Sequence, residues 1–243
     1  MTEEFATIAA RYKGPPDSGN GGYACGVLGT LIGDCAEVTL KAPPPLETSL
    51  KIERDGDDWK LLDGDALIAE GRPVALDLDI PAPPTYEEAL AAEPNYGFDR
   101  HIFPGCFVCG PDRAEHDGLR IFTGRVGERD IVASHWHPQQ DVAGEFGAVR
   151  GRVVWGALDC PTYFGGQLAE FSRTAVLGRL TAKLLAPVQV GEQHIVIGWP
   201  IGVEGRKLFG GSAIFTASGE LRAFARGTWI AIPEDHGGFD VAA

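Results

Sequence analysis

The sequence predicts an α+β protein made of two similar halves, each with one buried helix and an antiparallel sheet. Two runs, residues 23–32 and 153–171, are apolar on nearly every side, which predicts helices buried on all faces. Short strand-like segments follow each run and are separated by turn signals such as Asp55-Gly56. Because this order of elements recurs at low identity, duplication of one unit is the simplest explanation.

The remaining elements follow in order along the chain. Residues 5–13 alternate loosely and predict a first strand, which ends at the Gly- and Pro-rich run 14–22. After the first helix, we expect strands at residues 36–41, 49–54, 59–62, 66–70 and 74–80. In the second half, we expect strands at residues 118–123, 130–136, 179–185, 194–200, 207–217 and 221–232.

A proline-rich segment interrupts this pattern in the middle of the chain. Residues 81–105 contain several prolines and one short predicted helix at 86–92, which is typical of a linker. We therefore expect an N-terminal unit at residues 1–80, a linker at 81–105 and a C-terminal unit at 106–243.

Charge and composition exclude several classes of partner. The formal net charge is −13 and the basic residues form no stripe, which argues against a nucleic-acid or anionic-membrane partner. The sequence contains no run of 18 apolar residues, so we expect no membrane span. Residues 1–16 lack the apolar core of a signal peptide. Five cysteines form an odd count without a secretion signal, so we expect reduced thiols in a cytoplasmic protein.

Two short motifs resemble a known family. Gly21-Gly22-Tyr23 at the start of an apolar helix, followed later by Pro44-Pro45-Leu46, resembles the first half of double-hotdog acyl-CoA thioesterases. Cys106-Phe107-Val108-Cys109-Gly110-Pro111-Asp112, followed by Gly118-Leu119-Arg120, resembles the start of small hotdog thioesterases of the phenylacetate-pathway type. Together the two similarities cover about residues 14–232.

The resemblance implies a tandem hotdog fold, in which one continuous antiparallel sheet wraps two long buried helices. An acyl thioester such as acyl-CoA would lie between the helices, where a carboxylate of one helix faces the amide end of the other. The small thioesterases usually have His-Gly-Gly where this chain has Arg152-Val153-Val154-Trp155-Gly156, so we expect one active site rather than two. The resemblance also implies a homodimer and no cofactor.

Asp159 is the leading catalytic candidate because it lies inside an apolar helical run. A lone buried carboxylate is costly, so its presence indicates a specific role. It could act as a general base for water or as a nucleophile on the thioester carbon. In the resemblance, Asp159 takes the position of the catalytic helix carboxylate. The alternative is a structural aspartate that bonds the backbone near Pro161.

Gly22 and Tyr23 are the second catalytic candidates, because a helix N-terminus offers unpaired N–H groups to a developing oxyanion. Glycines such as Gly21 let a substrate carbonyl approach this backbone closely. Asn20 could cap the helix or donate from its side chain. The alternative is that these glycines serve a tight turn and close packing of a sheet against the helix.

Three residues of the second helix could shape the substrate pocket. Trp155 and Tyr163 lie one helical turn before and after Asp159, and Gln167 lies about two turns after it. The alternative for the two aromatic residues is ordinary core packing.

Cys106-x-x-Cys109 has the spacing of a metal or redox motif, and His101 and His116 are near it in sequence. No second Cys-x-x-Cys exists, so we expect two buried thiols and no metal. His135 and His137 share one face of a predicted strand, where a metal site and a solvated face are both possible.

These features favour an acyl-CoA thioesterase, in which Asp159 activates water or attacks directly. A non-catalytic protein that binds acyl-CoA or another apolar ligand is the main alternative. A hotdog hydratase is disfavoured because no histidine lies between residues 138 and 193.

Overall fold

The computed structural model describes residues 4–98, 101–167 and 174–232. Within these ranges, one antiparallel sheet of eleven strands packs against three α-helices, which confirms the predicted α+β class. The helices are α1 (Gly21–Ile32), α2 (Tyr86–Ala92) and α3 (Gly151–Gln167). No helix in these ranges is both long enough and apolar enough to cross a membrane.

The strands of the two halves follow the predicted order. The first half contains β1 (Glu4–Thr7), β2 (Cys35–Leu40), β3 (Ser49–Asp55), β4 (Asp58–Asp63) and β5 (Ala66–Pro73). The second half contains β6 (Gly124–Arg125), β7 (Val132–Trp136), β8 (Ala175–Leu184), β9 (His194–Glu204), β10 (Lys207–Thr216) and β11 (Leu221–Ala231). The hairpins around β4 turn at Gly56 and Gly64, whose φ angles of 61° and 55° favour glycine.

The halves join at a seam in the centre of the sheet. There β2 pairs antiparallel with β8, and Ala36 lies opposite Ala182. Outward from the seam, the first half runs β2, β5, β4, β3, β1, and the second runs β8, β11, β10, β9, β7. The same connectivity therefore recurs on both sides of the seam, and the short β6 extends the far edge.

Two predicted strands do not form, and a third is shorter than expected. Residues 74–80 do not form a strand, although the Val74 N–H donates to the Cys35 carbonyl at 3.4 Å. Their leucine and isoleucine side chains pack against the outer face of the second half of the sheet. Residues 118–123 form a loop, in which Arg120 has a φ of 53° and the N–H groups of Leu119 and Ile121 donate to the turn at 107–108. The first strand ends at Thr7. An alternating pattern fits an extended segment whether or not it pairs in a sheet.

The second half of the sheet is buried on both faces. Helix α3 covers its inner face, and α2 and the apolar residues of 76–80 cover its outer face. Accordingly, six consecutive residues of β9, from His194 to Trp199, are buried, whereas β4 has a mostly exposed alternating pattern. Part of the predicted linker therefore forms a packed cover over the second half.

Helices α1 and α3 cross at very short distance because glycines line the contact. A Cβ atom at Gly22 would lie 2.3 Å from the Asp159 Cβ, and one at Gly29 would lie 2.3 Å from the Trp155 ring. Gly26 is similarly close to Trp155, at 2.8 Å from its Cβ. Glycines in α1 were expected to allow close packing against a sheet, but these three face the other helix. Each costs about 1 kcal/mol of helix propensity relative to alanine, which the close contact offsets.

We expect Gly29→Ala to lower the free energy of unfolding by about 1–3 kcal/mol, because the new methyl group would overlap the Trp155 indole. The shift in the urea midpoint measures this loss. Gly166→Ala is the matched control, because its Cβ would approach no atom more closely than 3.5 Å. An equal loss of stability in both variants would contradict tight packing at the crossing.

Candidate active site

The crossing brings the side chain of Asp159 to the N-terminus of α1. Asp159 lies on α3 and only 1% of its surface is exposed. Its Oδ2 accepts hydrogen bonds from the Gly22 backbone N–H at 2.8 Å and from the Asn20 side-chain amide at 3.0 Å. Its Oδ1 is buried and has no hydrogen-bond partner among the described residues. Two hydrogen bonds thus fix one carboxylate oxygen, while the other is buried without a hydrogen-bond partner among the described residues.

The surroundings of Asp159 change its acidity. Burial raises the pKa of its carboxyl to about 7, although the hydrogen bonds from Gly22 and Asn20 favour the ionised form. A carboxyl group with this pKa exists in both protonation states near neutral pH. It can therefore accept a proton from water and release it again, as general acid–base catalysis requires.

A proline and a threonine hydroxyl group shape the backbone around Asp159. Pro161 lies inside α3 and lacks the N–H that would continue the helical hydrogen bonds. The Thr162 hydroxyl donates to the carbonyl of Asp159 at 2.7 Å and accepts from the Trp229 indole at 2.7 Å. Thr162 therefore satisfies the backbone near Pro161, and the carboxylate of Asp159 reaches across to α1 instead.

The first amides of α1 have partners within the protein, which the sequence did not predict. The N–H of Gly22 is bonded to Asp159, and the N–H of Tyr23 donates to the Oδ1 of its cap, Asn20, at 2.9 Å. Neither is therefore free to bind a substrate carbonyl as predicted. The amide of Gly21 has no hydrogen-bond partner among the described residues, and Gly21 lines the cavity beside Asp159.

Asp159 borders a cavity of about 800 Å³, which is within the range of small-molecule sites. Both halves of the chain contribute to its wall, which includes Asn20, Gly21, Tyr163 and His101. Most of the remaining lining is apolar, as in Pro15, Pro44, Phe103, Leu177, Trp229 and Ile230. A long apolar group could therefore lie in this cavity with its reactive end at Asp159.

The predicted pocket residues divide into two groups. Tyr163 lines the cavity and packs against Trp229, with ring centroids 4.9 Å apart. Gln167 is not among the described residues that line the cavity, and its side chain hydrogen-bonds to Tyr163. Trp155 is not in the lining either, because it is buried in the helix crossing against Gly26 and Gly29. The structure therefore does not bring Trp155 to the cavity that Asp159 borders.

The four histidine candidates lie in different surroundings. His135 is half-buried beside Glu93, with Nδ1 and Oε2 3.5 Å apart, while His116 and His137 are exposed. His101 lies in the predicted linker, yet it lines the cavity together with Cys106, Cys109 and Cys160. No periodic pattern in the sequence places His101 there, although its closeness to the Cys-x-x-Cys motif was a signal.

No protein-family model matches the chain, and no curated protein matches it at a significant level. Several solved structures share its fold. A tesB protein from Mycobacterium avium subspecies paratuberculosis superposes with a TM-score of 0.63 at 9% identity, covering 95% of this chain and 93% of that one. A provisionally named thioesterase II from Thermobifida fusca gives a TM-score of 0.61 at 15% identity, covering 96% and 94% of the two chains.

A provisionally named oleoyl thioesterase from Lactobacillus plantarum also superposes, with a TM-score of 0.57 at 8% identity and 96% of each chain covered. At these identities the similarity establishes the fold alone. The large antiparallel sheet with its packed helices is thus the hotdog-type fold of thioesterase structures, as the two sequence motifs implied.

We expect Asn20→Ala to lower the free energy of unfolding by about 2 kcal/mol, because it removes both the cap of α1 and a hydrogen bond to Asp159. Thr85→Ala is the matched control, since it removes only the cap of the surface helix α2 and should cost about 1 kcal/mol. Urea denaturation measures both losses. Equal losses would show that the bond from Asn20 to Asp159 adds nothing to stability.

Proposed function

We propose that this protein is a thioester hydrolase that acts on acyl-CoA or a similar acyl thioester. The observation that supports it best is the buried carboxylate of Asp159, which is held against the N-terminus of α1 at the wall of an apolar cavity. The names of the structurally similar proteins agree with this class of reaction.

We further propose that the fold is a tandem of two hotdog units, at residues 1–80 and 106–243, joined by the segment 81–105. The recurring strand order on both sides of the β2–β8 seam supports this division. One reaction centre per chain is expected. Gly29 occupies in α1 the position that Asp159 occupies in α3, eight residues after the start of the helix. Because glycine has no side chain, α1 offers no second carboxylate at this position. We also propose that two copies of this chain form a homodimer.

In the proposed reaction, the acyl chain lies along the apolar lining and the thioester carbonyl points to the start of α1. The free N–H of Gly21 is the donor for the carbonyl oxygen, and the positive end of the helix favours the charge that develops there. The bound amides of Gly22 and Tyr23 contribute through this helix terminus and by holding Asp159 and Asn20.

The carboxylate of Asp159 then accepts a proton from a water molecule through its unpartnered Oδ1. The resulting hydroxide bonds to the thioester carbon, and the carbonyl oxygen becomes an oxyanion. When this intermediate collapses, the C–S bond breaks and the thiolate takes the proton back from Asp159. The products are a carboxylic acid and a free thiol, and the carboxylate is restored.

A binding protein without turnover is the second candidate. It is favoured by one observation, that the Gly22 and Tyr23 amides are already hydrogen-bonded within the protein. This leaves a single free backbone donor at the carbonyl position, whereas oxyanion sites commonly combine two donors.

We expect Asp159→Asn to lower kcat for acyl-CoA hydrolysis by about 10²- to 10⁴-fold, because asparagine keeps the shape but cannot accept the proton. Release of free thiol over a panel of acyl chain lengths measures the rate, and calorimetry measures acyl-CoA binding, which should persist. Asp57→Asn, in an exposed turn, is the matched control. Binding without turnover in both the unaltered protein and Asp159→Asn would instead support the binding protein.

We expect kcat/KM to rise with pH and to level off above about pH 7, because only the ionised form of Asp159 can act as base. Below this pKa the rate should fall about tenfold per pH unit. Initial rates between about pH 5 and about pH 9 measure the profile. A profile that is flat across the range, or that persists in Asp159→Asn, would remove Asp159 from the base role.

A further inference from the structure

Three cysteines come together in the wall of the cavity, next to Asp159. Cys106 and Cys109 belong to the turn that precedes the second half of the sheet, and Cys160 belongs to α3. Each is at most 6% exposed. Their three Sγ atoms all lie within 4.8 Å of one another, and those of Cys106 and Cys160 are 3.9 Å apart.

The turn is built to present two of these sulfurs together. The N–H of Gly110 bonds to the carbonyl of Cys106 at 2.9 Å and closes the turn. A Cβ at Gly110 would lie 2.4 Å from the Pro104 carbonyl oxygen and 2.5 Å from the Cys106 nitrogen, so the turn requires glycine here. Two cysteines separated by two residues are the usual ligand spacing of zinc sites.

We propose that Cys106, Cys109 and Cys160 bind one Zn²⁺ ion as thiolates. Zn–S bonds of about 2.3 Å in a tetrahedron place sulfurs about 3.8 Å apart, close to the distance between Cys106 and Cys160. The third sulfur needs to move by about 1 Å at most. A disulfide would instead require an S–S distance of about 2.05 Å and would leave one thiol over, whereas a metal ion uses all three.

The polar groups around the sulfurs fit thiolates. The Asn20 amide nitrogen lies 3.8 Å from the Sγ of Cys106 and 3.9 Å from that of Cys160. His101 Nε2 lies 3.3 Å from the Sγ of Cys109. Because the Phe103 N–H donates to the Nδ1 of His101, the histidine proton belongs on Nε2, which then donates to the sulfur. Such N–H···S contacts are the outer-shell support that metal-bound thiolates require.

The proposed site has three protein ligands, and its fourth position opens to the cavity that all three cysteines line. His101 supports the site as a hydrogen-bond donor to Cys109. The ion would fasten the turn at residues 106–109 to α3 next to Asp159, and so fix one wall of the cavity. The proposal depends on this cluster alone and would stand if the thioester hydrolysis proposed above were disproved.

The test uses the full chain, reduced, incubated with ZnCl₂ and then freed of unbound metal by desalting. Mass spectrometry of the metal should give one zinc per chain. We expect Cys106→Ser and Cys160→Ser to lose the zinc and His101→Gln to weaken its affinity about 10- to 100-fold. Cys35→Ser is the matched control and should keep a full equivalent, because Cys35 lies on β2, outside the cluster.

A second measurement needs no substitution. Replacement of zinc by Co²⁺ in the unaltered protein should give sulfur-to-cobalt charge-transfer absorption and the visible bands of tetrahedral cobalt. Titration of the folded, zinc-loaded chain with a mercurial thiol reagent should release one zinc per chain as the three thiolates react. Zinc well below one equivalent without cobalt–thiolate absorption would overturn the proposal. A disulfide between Cys106 and Cys160, or loss of zinc from Cys35→Ser, would also overturn it.

Discussion

The structure depends on the hydrogen bond between the Gly22 N–H and the carboxylate of Asp159, which joins the two buried helices. It requires a glycine, because any side chain at position 22 would occupy the space of the carboxyl group. It equally requires the start of a helix, because a buried carboxylate without donors is strongly disfavoured. The close crossing of α1 and α3, lined by Gly26 and Gly29, brings these two requirements to the same point.

The same burial that makes this contact costly also gives Asp159 its reactivity. Removal from water raises the pKa of the carboxyl to about 7, and only one of its oxygens is stabilised by hydrogen bonds. An unpaired buried polar atom such as Oδ1 costs about 1–3 kcal/mol. Favourable contacts elsewhere must offset this cost. They include the hydrogen bonds from the Trp229 indole to the Thr162 hydroxyl and from that hydroxyl to the Asp159 carbonyl.

The sequence predicted the two buried helices, the hairpins and the position of Asp159 well, because periodicity, turn residues and the cost of a lone charge are local signals. It did not predict the fate of residues 74–80, since an alternating pattern is the same in a paired strand and in a segment packed on a sheet. Whether glycines face a sheet or a helix also depends on tertiary contacts.

The finer details of the site were beyond prediction for a similar reason. The partners of the Gly22 and Tyr23 amides are decided by differences of about 1 Å in the helix crossing, which residue identity does not encode. His101 and Cys160 line the same cavity although they are 59 residues apart in sequence, and no local pattern predicts that they meet. Trp155 has the spacing of a pocket residue, but the glycines of α1 leave a space that its indole fills.

The position of Trp155 has a consequence for the kinetics of the proposed hydrolase. Its indole fills the space beside Gly29, where a carboxylate from α1 would have to stand to form an equivalent centre in the other half. A chain with one reaction centre has no internal partner with which to cooperate. Its rate should therefore saturate hyperbolically with substrate, and any sigmoidal response would have to arise from communication between separate chains.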